Sequence, residues 1–262
     1  MKKVGLALGS GGARGFAHIG VINILEENKI PIDYVSGTSI GSVVAAYYAL
    51  NLNVEGLKKV SLNFKSTDIW KTLIDLNNPK ISLIKGKKLR KYWEQFFGNK
   101  RFKDTKIPLA IGATDATDGS RVVFTRGRIL DAVIASSTLP GIFPPSKKGD
   151  KILIDGGIAD GLPVDIVREL GADVVIGVDL YNFKKKKLAS TNTLDIMERT
   201  YNILISKLST YQEHEYKKNI VVLRPDTGNG VQLFAFDKVK QNIKIGELEA
   251  IKYLKKIKRL VK

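Results

Sequence analysis

Pro31–Leu50 reads PIDYVSGTSIGSVVAAYYAL. Tyr34 and Val35 are strand formers, and Val43–Leu50 is apolar and rich in helix formers. Gly37-Thr38-Ser39-Ile40-Gly41 lies between them. This order predicts a short strand, a tight turn and a helix, with G-x-S-x-G presenting a serine on a strained strand-to-helix turn. A side chain at Gly37 or Gly41 would block the turn and crowd the serine. The positive end of the helix dipole faces Ser39 Oγ and favours developing negative charge there. Taken alone, the pattern fits a Gly-Ser turn capping a helix equally well, so its meaning rests on its surroundings.

Upstream, Val4–Leu8 is a short apolar run expected to be a buried strand. Gly9-Ser10-Gly11-Gly12-Ala13-Arg14-Gly15 follows, and helical periodicity starts at Phe16. A glycine turn at a helix N-terminus gathers bare backbone N–H groups and is a general anion cradle. Dinucleotide binding would need glycine where Arg14 stands and an acidic residue closing the second strand, where Gly37-Thr38-Ser39 is found. Two adjacent parallel strands would instead bring both turns to the carboxyl end of one sheet, where α/β ligand sites lie. The Gly11 and Gly12 amides could then face an oxyanion formed as Ser39 attacks a carbonyl. Arg14 is expected to brace the loop rather than touch substrate.

Downstream, Lys87–Phe97 looks helical, with Leu89, Trp93, Phe96 and Phe97 on one side, as core packing or as the wall of an acyl-chain pocket. Strands are expected at 107–113 and 122–125 around a hairpin-type turn holding Asp115 and Asp118. A helix is expected over 128–137, followed by an extended loop imposed by Phe143-Pro144-Pro145. A short strand at 152–154 runs into Asp155-Gly156-Gly157, which suits either a carboxylate presented to a site or a plain turn. Asp160 is a competing carboxylate, explained by hydrogen bonding at the end of a helix running from Pro163 to Leu170. Strands at 174–178 and 220–223 and helices over 194–216 and from Asp237 onward complete the pattern. No linker or repeat divides it, so one α/β domain over 1–262 is expected.

The chain has 262 residues, no cysteine and a formal charge of +17. Disulfides and thiolate metal sites are excluded, and a cytoplasmic setting is expected. The start, MKKVGLALGSGGARG, breaks into glycines too early for a signal-peptide core, and no apolar run reaches a membrane-spanning length. No nucleic-acid motif accompanies the positive charge, so nucleic acid is not an expected partner. Lys184–Lys187 and the lysine-rich C-terminal helix suit peripheral contact with an anionic membrane, or simply a solvated face.

Ser39 needs a base. The order Ser39, Asp155, His214 mimics the α/β-hydrolase triad, but a single strand precedes Ser39 and His214 falls within a long helix. His18, the other histidine, falls on the first helix. The second route is Asp155 acting directly. A carboxyl with an ordinary pKa of about 3.9 is a poor base for an alcohol, and burial would raise it.

Three blocks carry a resemblance: GSGGARG at Gly9–Gly15, GTSIG at Gly37–Gly41 and DGG at Asp155–Gly157. With ATDATDGSRVVFTRG, ASSTLPGIFPP and LPVDIVRELGADVVIGVDL between and after them, the chain resembles bacterial patatin-like phospholipases over about residues 3–180. That resemblance implies a three-layer α/β/α sandwich with a mainly parallel sheet. It implies Ser39 as nucleophile, Asp155 as general base and the Gly11 and Gly12 amides as oxyanion hole. Gly9, Arg14, Gly37, Gly41, Gly156 and Gly157 would support these motifs. No metal or other cofactor is implied, and the substrates would be acyl esters of phospholipids, lysophospholipids or acylglycerols. A non-catalytic membrane-surface protein on the same fold stands as a further alternative. One departure is Ala159-Asp160-Gly161, where many relatives carry an asparagine before the Leu-Pro. It puts the packing near Asp155 in question.

Overall fold

The computed structural model describes residues 2–63, 75, 76, 78, 82–181, 192–216, 218–228 and 236–262. Lys184–Lys187 therefore lie outside the described residues. Eight strands form one mixed sheet: β1 (Val4–Leu8), β2 (Tyr34–Thr38), β3 (Leu109–Asp115), β4 (Arg121–Phe124), β5 (Ser146–Lys148), β6 (Lys151–Ile154), β7 (Val174–Val178) and β8 (Ile220–Leu223). The order is β5-β6-β3-β2-β1-β7-β8, with β4 also on β3. The run β3-β2-β1-β7-β8 is parallel, and β4, β5 and β6 are joined antiparallel. Strand β5 was not expected from the sequence. It holds two exposed lysines and no apolar periodicity, and exists by pairing with β6.

Helices cover both faces, as the sandwich reading requires. They are α1 (Phe16–Glu27), α2 (Ile40–Asn51), α3 (Glu55–Asn63), α4 (Lys87–Phe97), α5 (Ile129–Ser136), α6 (Val164–Glu169), α7 (Thr193–Glu215) and α8 (Val239–Leu260). The two-residue period of a strand sorts the core. Val4, Leu6 and Leu8 join the large cluster with α1, α2, α5 and α8, whereas Ala7 faces Leu162, Val164 and Val167 on the other side. In α4, Phe97 is buried, and Trp93 and Phe96 pack against the large cluster. Of the expected stripe, Trp93, Phe96 and Phe97 are thus core packing, and Leu89 is half-buried outside that cluster.

Two features of this topology build the site. First, β1 and β2 are parallel neighbours, with Leu8 opposite Gly37, so the glycine turn and the Ser39 turn emerge side by side. Second, β2 pairs β3 up to Thr38 opposite Gly112, and β6 pairs β3 antiparallel from Ile154 opposite Thr114. Thr114 also pairs Arg121 of β4, which occupies the opposite edge of β3. Strand β6 thus takes up the β3 edge where β2 leaves it. The carboxyl ends of β2 and β6 meet head to head, bringing Ser39 to Asp155.

Helix α8 runs alongside α1 in the same direction. Its start lies by the glycine turn, where Asn242 Nδ2 donates to Ala13 O at 3.2 Å. Its end lies by the amino end of β1, where Lys2 Nζ donates to Leu260 O at 3.0 Å and Lys258 Nζ to Asn28 Oδ1 at 2.9 Å. The shallow basic groove of Ile251, Leu254, Lys255, Lys258, Arg259 and Lys262 is therefore at the far end of the sheet from Ser39.

Candidate active site

Ser39 has φ 53° and ψ −127°, a left-handed backbone rarely adopted by a side-chain-bearing residue. Such strain costs on the order of 1–3 kcal/mol and persists because the surroundings over-determine it. A Cβ on Gly37 would run into Gly41 O and Ser42 Cα, and one on Gly41 into the carbonyls of Leu8 and Gly9. Both glycines of the motif are thus required by close backbone approach. Ser136 holds the turn from the α5 side: Ser39 N donates to its Oγ at 2.8 Å, and that hydroxyl donates to Gly112 O at 2.6 Å. Ser42 Oγ donates to Ser39 O at 2.6 Å.

Asp155 leaves β6 and caps the short 3₁₀ turn Gly156–Ile158. Its backbone is pinned by Thr138 O, which accepts from its N–H at 2.8 Å, and by Thr114 Oγ1, which donates to its carbonyl at 2.8 Å. The side chain is 2% exposed. Asp155 Oδ2 accepts from Ser39 Oγ at 2.6 Å, and Oδ1 accepts from Gly157 N at 2.8 Å and Tyr201 Oη at 2.9 Å. Burial pushes this carboxyl up to about 6, against the three hydrogen bonds that stabilise its ionised form. It stays ionised at neutral pH while being a better proton acceptor than an exposed aspartate.

The glycine turn borders this pair. Ser10 Oγ lies 3.3 Å from Thr38 Oγ1, and a Cβ on Gly15 would meet Ile40. Gly12 adopts φ 56°, and the turn Gly12–Gly15 continues into α1. Among the described residues, the Gly11 and Gly12 amides donate to no protein acceptor. Gly9 N is committed to Val178 O and Ser10 N to Gly161 O. Arg14 ties this turn to helix α7. It is 6% exposed, donates through Nη2 to Glu198 Oε1 and Asn202 Oδ1 at 3.2 Å each, and lies 5.0 Å from the Tyr181 ring centroid.

Neither histidine touches the pair. His18 is fully buried with Nε2 2.8 Å from Gly9 O, which makes it the N–H donor to that carbonyl. Burial pushes its pKa down to about 4, so it is a neutral brace of the glycine turn at working pH. His214 is exposed on α7, thirteen residues beyond Tyr201. At 1.5 Å per residue that is about 20 Å along the helix from the tyrosine that touches Asp155.

Asp160 does not cap a helix; Pro163 stands at the N-terminus of α6 with no side-chain cap. Asp160 is fully buried, accepts from Gln212 Nε2 at 2.8 Å and pairs with Arg121 Nη1 at 3.1 Å. Burial pushes its carboxyl up to about 6, and the nearby Asp165 adds to this. Its partners are separate from those of Asp155. Asp115 and Asp118 serve the β3–β4 turn, accepting from Thr117 N at 3.1 Å and Ser120 N at 2.8 Å.

Sequence reasoning missed Tyr201 and Ser136. The spacing Glu198, Tyr201, Asn202, at i, i+3 and i+4, marks a polar face on α7 that sequence could have offered. Ser136 lies inside the ASSTLPG block without a local signal for its role. Among the described residues, no group of three or more His, Cys, Asp or Glu side chains is arranged to hold a metal. No described helix is long and apolar enough to cross a membrane.

A family model described as patatin-like phospholipase matches residues 6–168. The lysophospholipase NTE1 of Pyricularia oryzae is 37% identical over 181 residues, covering 68% of this chain and 12% of that protein. The lysophospholipase NTE1 of Saccharomyces cerevisiae is 35% identical over 179 residues, covering 68% of this chain and 11% of that protein. The chain thus spans about an eighth or less of the length of these relatives. They are fungal, and lend no support to a specifically bacterial branch. Among solved structures, VipD from Legionella pneumophila matches with a TM-score of 0.53 at 13% identity, covering 97% of this chain and 67% of that one. That likeness concerns the fold.

Proposed function

This chain belongs to the patatin-like phospholipase family, and from that premise we propose that it hydrolyses carboxylic esters of lipids, with single-chain lysophospholipids as the preferred class. The observation carrying the chemistry is the 2.6 Å hydrogen bond from Ser39 Oγ to Asp155 Oδ2 on a strained turn. Asp155 accepts the hydroxyl proton as Ser39 Oγ attacks the acyl carbonyl. The oxyanion is met by the Gly11 and Gly12 amides and the N-terminus of α2. The proton passes to the departing alcohol, leaving an acyl-Ser39 ester and ionised Asp155. Asp155 then takes a proton from water as the water attacks the ester, and returns it to Ser39 Oγ as the Oγ–acyl bond breaks, releasing the fatty acid and restoring the Ser39 hydroxyl and the ionised carboxylate. The pKa near 6 suits both directions of proton transfer at neutral pH.

The lysophospholipid preference rests on the similarity to the fungal lysophospholipases. Lipid approaches across the α7 side of the site. Met197 and Leu204 lie one turn either side of Tyr201 and are 48% and 62% exposed, and Ile158 beside Gly157 is 39% exposed. The basic end of α8 is too remote to present Ser39 to a bilayer.

The test is turnover of lysophosphatidylcholine, diacyl phosphatidylcholine and monoacylglycerol, with Ser39→Ala as control and a fluorophosphonate probe to label Ser39. Fatty acid release from the lysolipid that vanishes in folded Ser39→Ala is the expected result. Retained turnover in that variant refutes the serine mechanism. Faster release from the diacyl lipid refutes the substrate preference alone.

A further inference from the structure

Helix α7 crosses the carboxyl end of the sheet and touches both halves of the site. Glu198 and Asn202 accept from Arg14, which sits in the glycine turn carrying the Gly11 and Gly12 amides. Tyr201, from the same helical turn, donates to Asp155 Oδ1 at 2.9 Å. One face of one helix therefore bridges the oxyanion donors and the carboxylate. The contact is close because Gly161 lets the helix in: a Cβ there would meet Ile205 and Ser209 of α7.

We propose that Tyr201 is a positioning residue for ester hydrolysis: with Gly157 N–H its hydroxyl occupies Asp155 Oδ1, so that Oδ2 alone faces Ser39, and it holds the buried carboxyl in its ionised form. The inference rests on the Ser39–Asp155 chemistry proposed above. The family-model match ends at residue 168, before α7 begins at Thr193, so this support comes from outside the matched span.

The geometry argues for a fixed donor rather than a mobile one. The Tyr201 ring meets Tyr181 edge-on, with centroids 6.2 Å apart, and Tyr181 in turn lies under the Arg14 guanidinium. Tyr201 cannot itself be the base. Burial and then the Asp155 charge raise its pKa well above the usual tyrosine value, so the phenol keeps its proton. The other charged or titratable groups packed around Asp155 are held elsewhere. Arg14 is on Glu198 and Asn202, and His18 is on Gly9 O. Asp179 is paired with Arg224, and Asp160 with Arg121. Tyr181 stacks between Arg14 and Tyr201. Only Ser39, Gly157 and Tyr201 hydrogen-bond the Asp155 carboxyl among the described residues.

A hydrogen bond to the charged form lowers a carboxyl pKa, so its removal must raise it. The acid limb of kcat/KM reports that group in the free enzyme. In Tyr201→Phe the limb is expected to move up by about one pH unit, the scale of a charge-assisted hydrogen bond. Activity at pH 5.5 then falls roughly tenfold while activity at pH 9 stays within about threefold. Site-specific 3-fluorotyrosine at position 201 keeps shape and hydroxyl but donates more strongly, and should move the limb the other way. A limb that stays put in folded Tyr201→Phe, or an equal loss at every pH, overturns the inference. If Tyr201→Phe does not fold, the fluorotyrosine protein decides, and an unmoved limb there also overturns it. Asp155→Asn and Ser39→Ala run alongside. If either is active, the dyad reading has failed; if both are inactive and the limb is fixed, only the role of Tyr201 has failed.

Discussion

Replacing Asp155 by asparagine tests the base assignment with little change of shape. The structure dictates how the amide would sit. Two donors, Gly157 N–H and Tyr201 O–H, point at the Oδ1 position. The amide oxygen must take that place, which turns the NH2 toward Ser39 Oγ, where a carboxylate oxygen stood at 2.6 Å. Ser39 then faces a donor and has no proton acceptor. Loss of a general base costs on the order of 100-fold to 10,000-fold, so kcat/KM of Asp155→Asn should fall by at least about 100-fold. His214→Gln is the matching control. Its imidazole lies about 20 Å along α7 from Tyr201, too far for direct proton transfer, so activity should stay within about twofold. His18→Gln removes the brace on Gly9 O and should stay within about tenfold, well short of a lost base. Steady-state hydrolysis of a short-chain chromogenic ester measures all three, with thermal unfolding to establish that each is folded. A folded His214→Gln protein that is almost inactive, or Asp155→Asn keeping more than about a tenth of wild-type activity, would refute the dyad and restore the triad.

Gly12→Ala puts a Cβ at φ 56° beside the oxyanion position and should cost about 100-fold or more in kcat, the usual scale for a lost donor. A folded, fully active Gly12→Ala, together with an active Gly11→Ala, contradicts the oxyanion assignment. Stability should also carry the mark of the Asp155 pKa, which burial raises from the ordinary carboxyl value of 3.8 to about 6. A carboxyl with a raised folded-state pKa contributes stability that is present below the unfolded pKa and lost as pH rises through the folded one. Wild type should therefore lose about 3 kcal/mol relative to Asp155→Asn between roughly pH 4 and pH 6. Denaturant midpoints across that range check it; Asp160 titrates in both proteins and cancels. Met197→Asn with Leu204→Asn should weaken sedimentation with lysolipid-containing vesicles, whereas Lys255→Ala with Lys258→Ala should not. The opposite pattern moves the lipid-facing side to α8.

The strand-turn-helix around Ser39, its two glycines, the glycine turn after β1 and most of the strands and helices were legible in the sequence. Each is decided within a few residues: hydrophobic period sorts strand from helix, and steric clash at Gly37 and Gly41 admits no side chain. Choosing the base among Asp155, Asp160 and His214 was beyond local reasoning and leaned on the family resemblance, because Ser39 and Asp155 lie 116 residues apart. Their meeting depends on β6 turning back along β3 where β2 ends, a pairing with no local signature. The same is true of β5, which has no apolar pattern and forms only because β6 offers an open edge. The sequence around Asp160 suggests a helix-end residue because a helix follows it; its partners, Arg121 and Gln212, come from β4 and α7. Tyr201 is one of several polar or aromatic residues in a long helix, and no local feature assigns its hydroxyl a partner. Only the docking of α7 over the carboxyl end of the sheet turns that hydroxyl onto Asp155, because a helix face acquires its chemistry from what it is packed against.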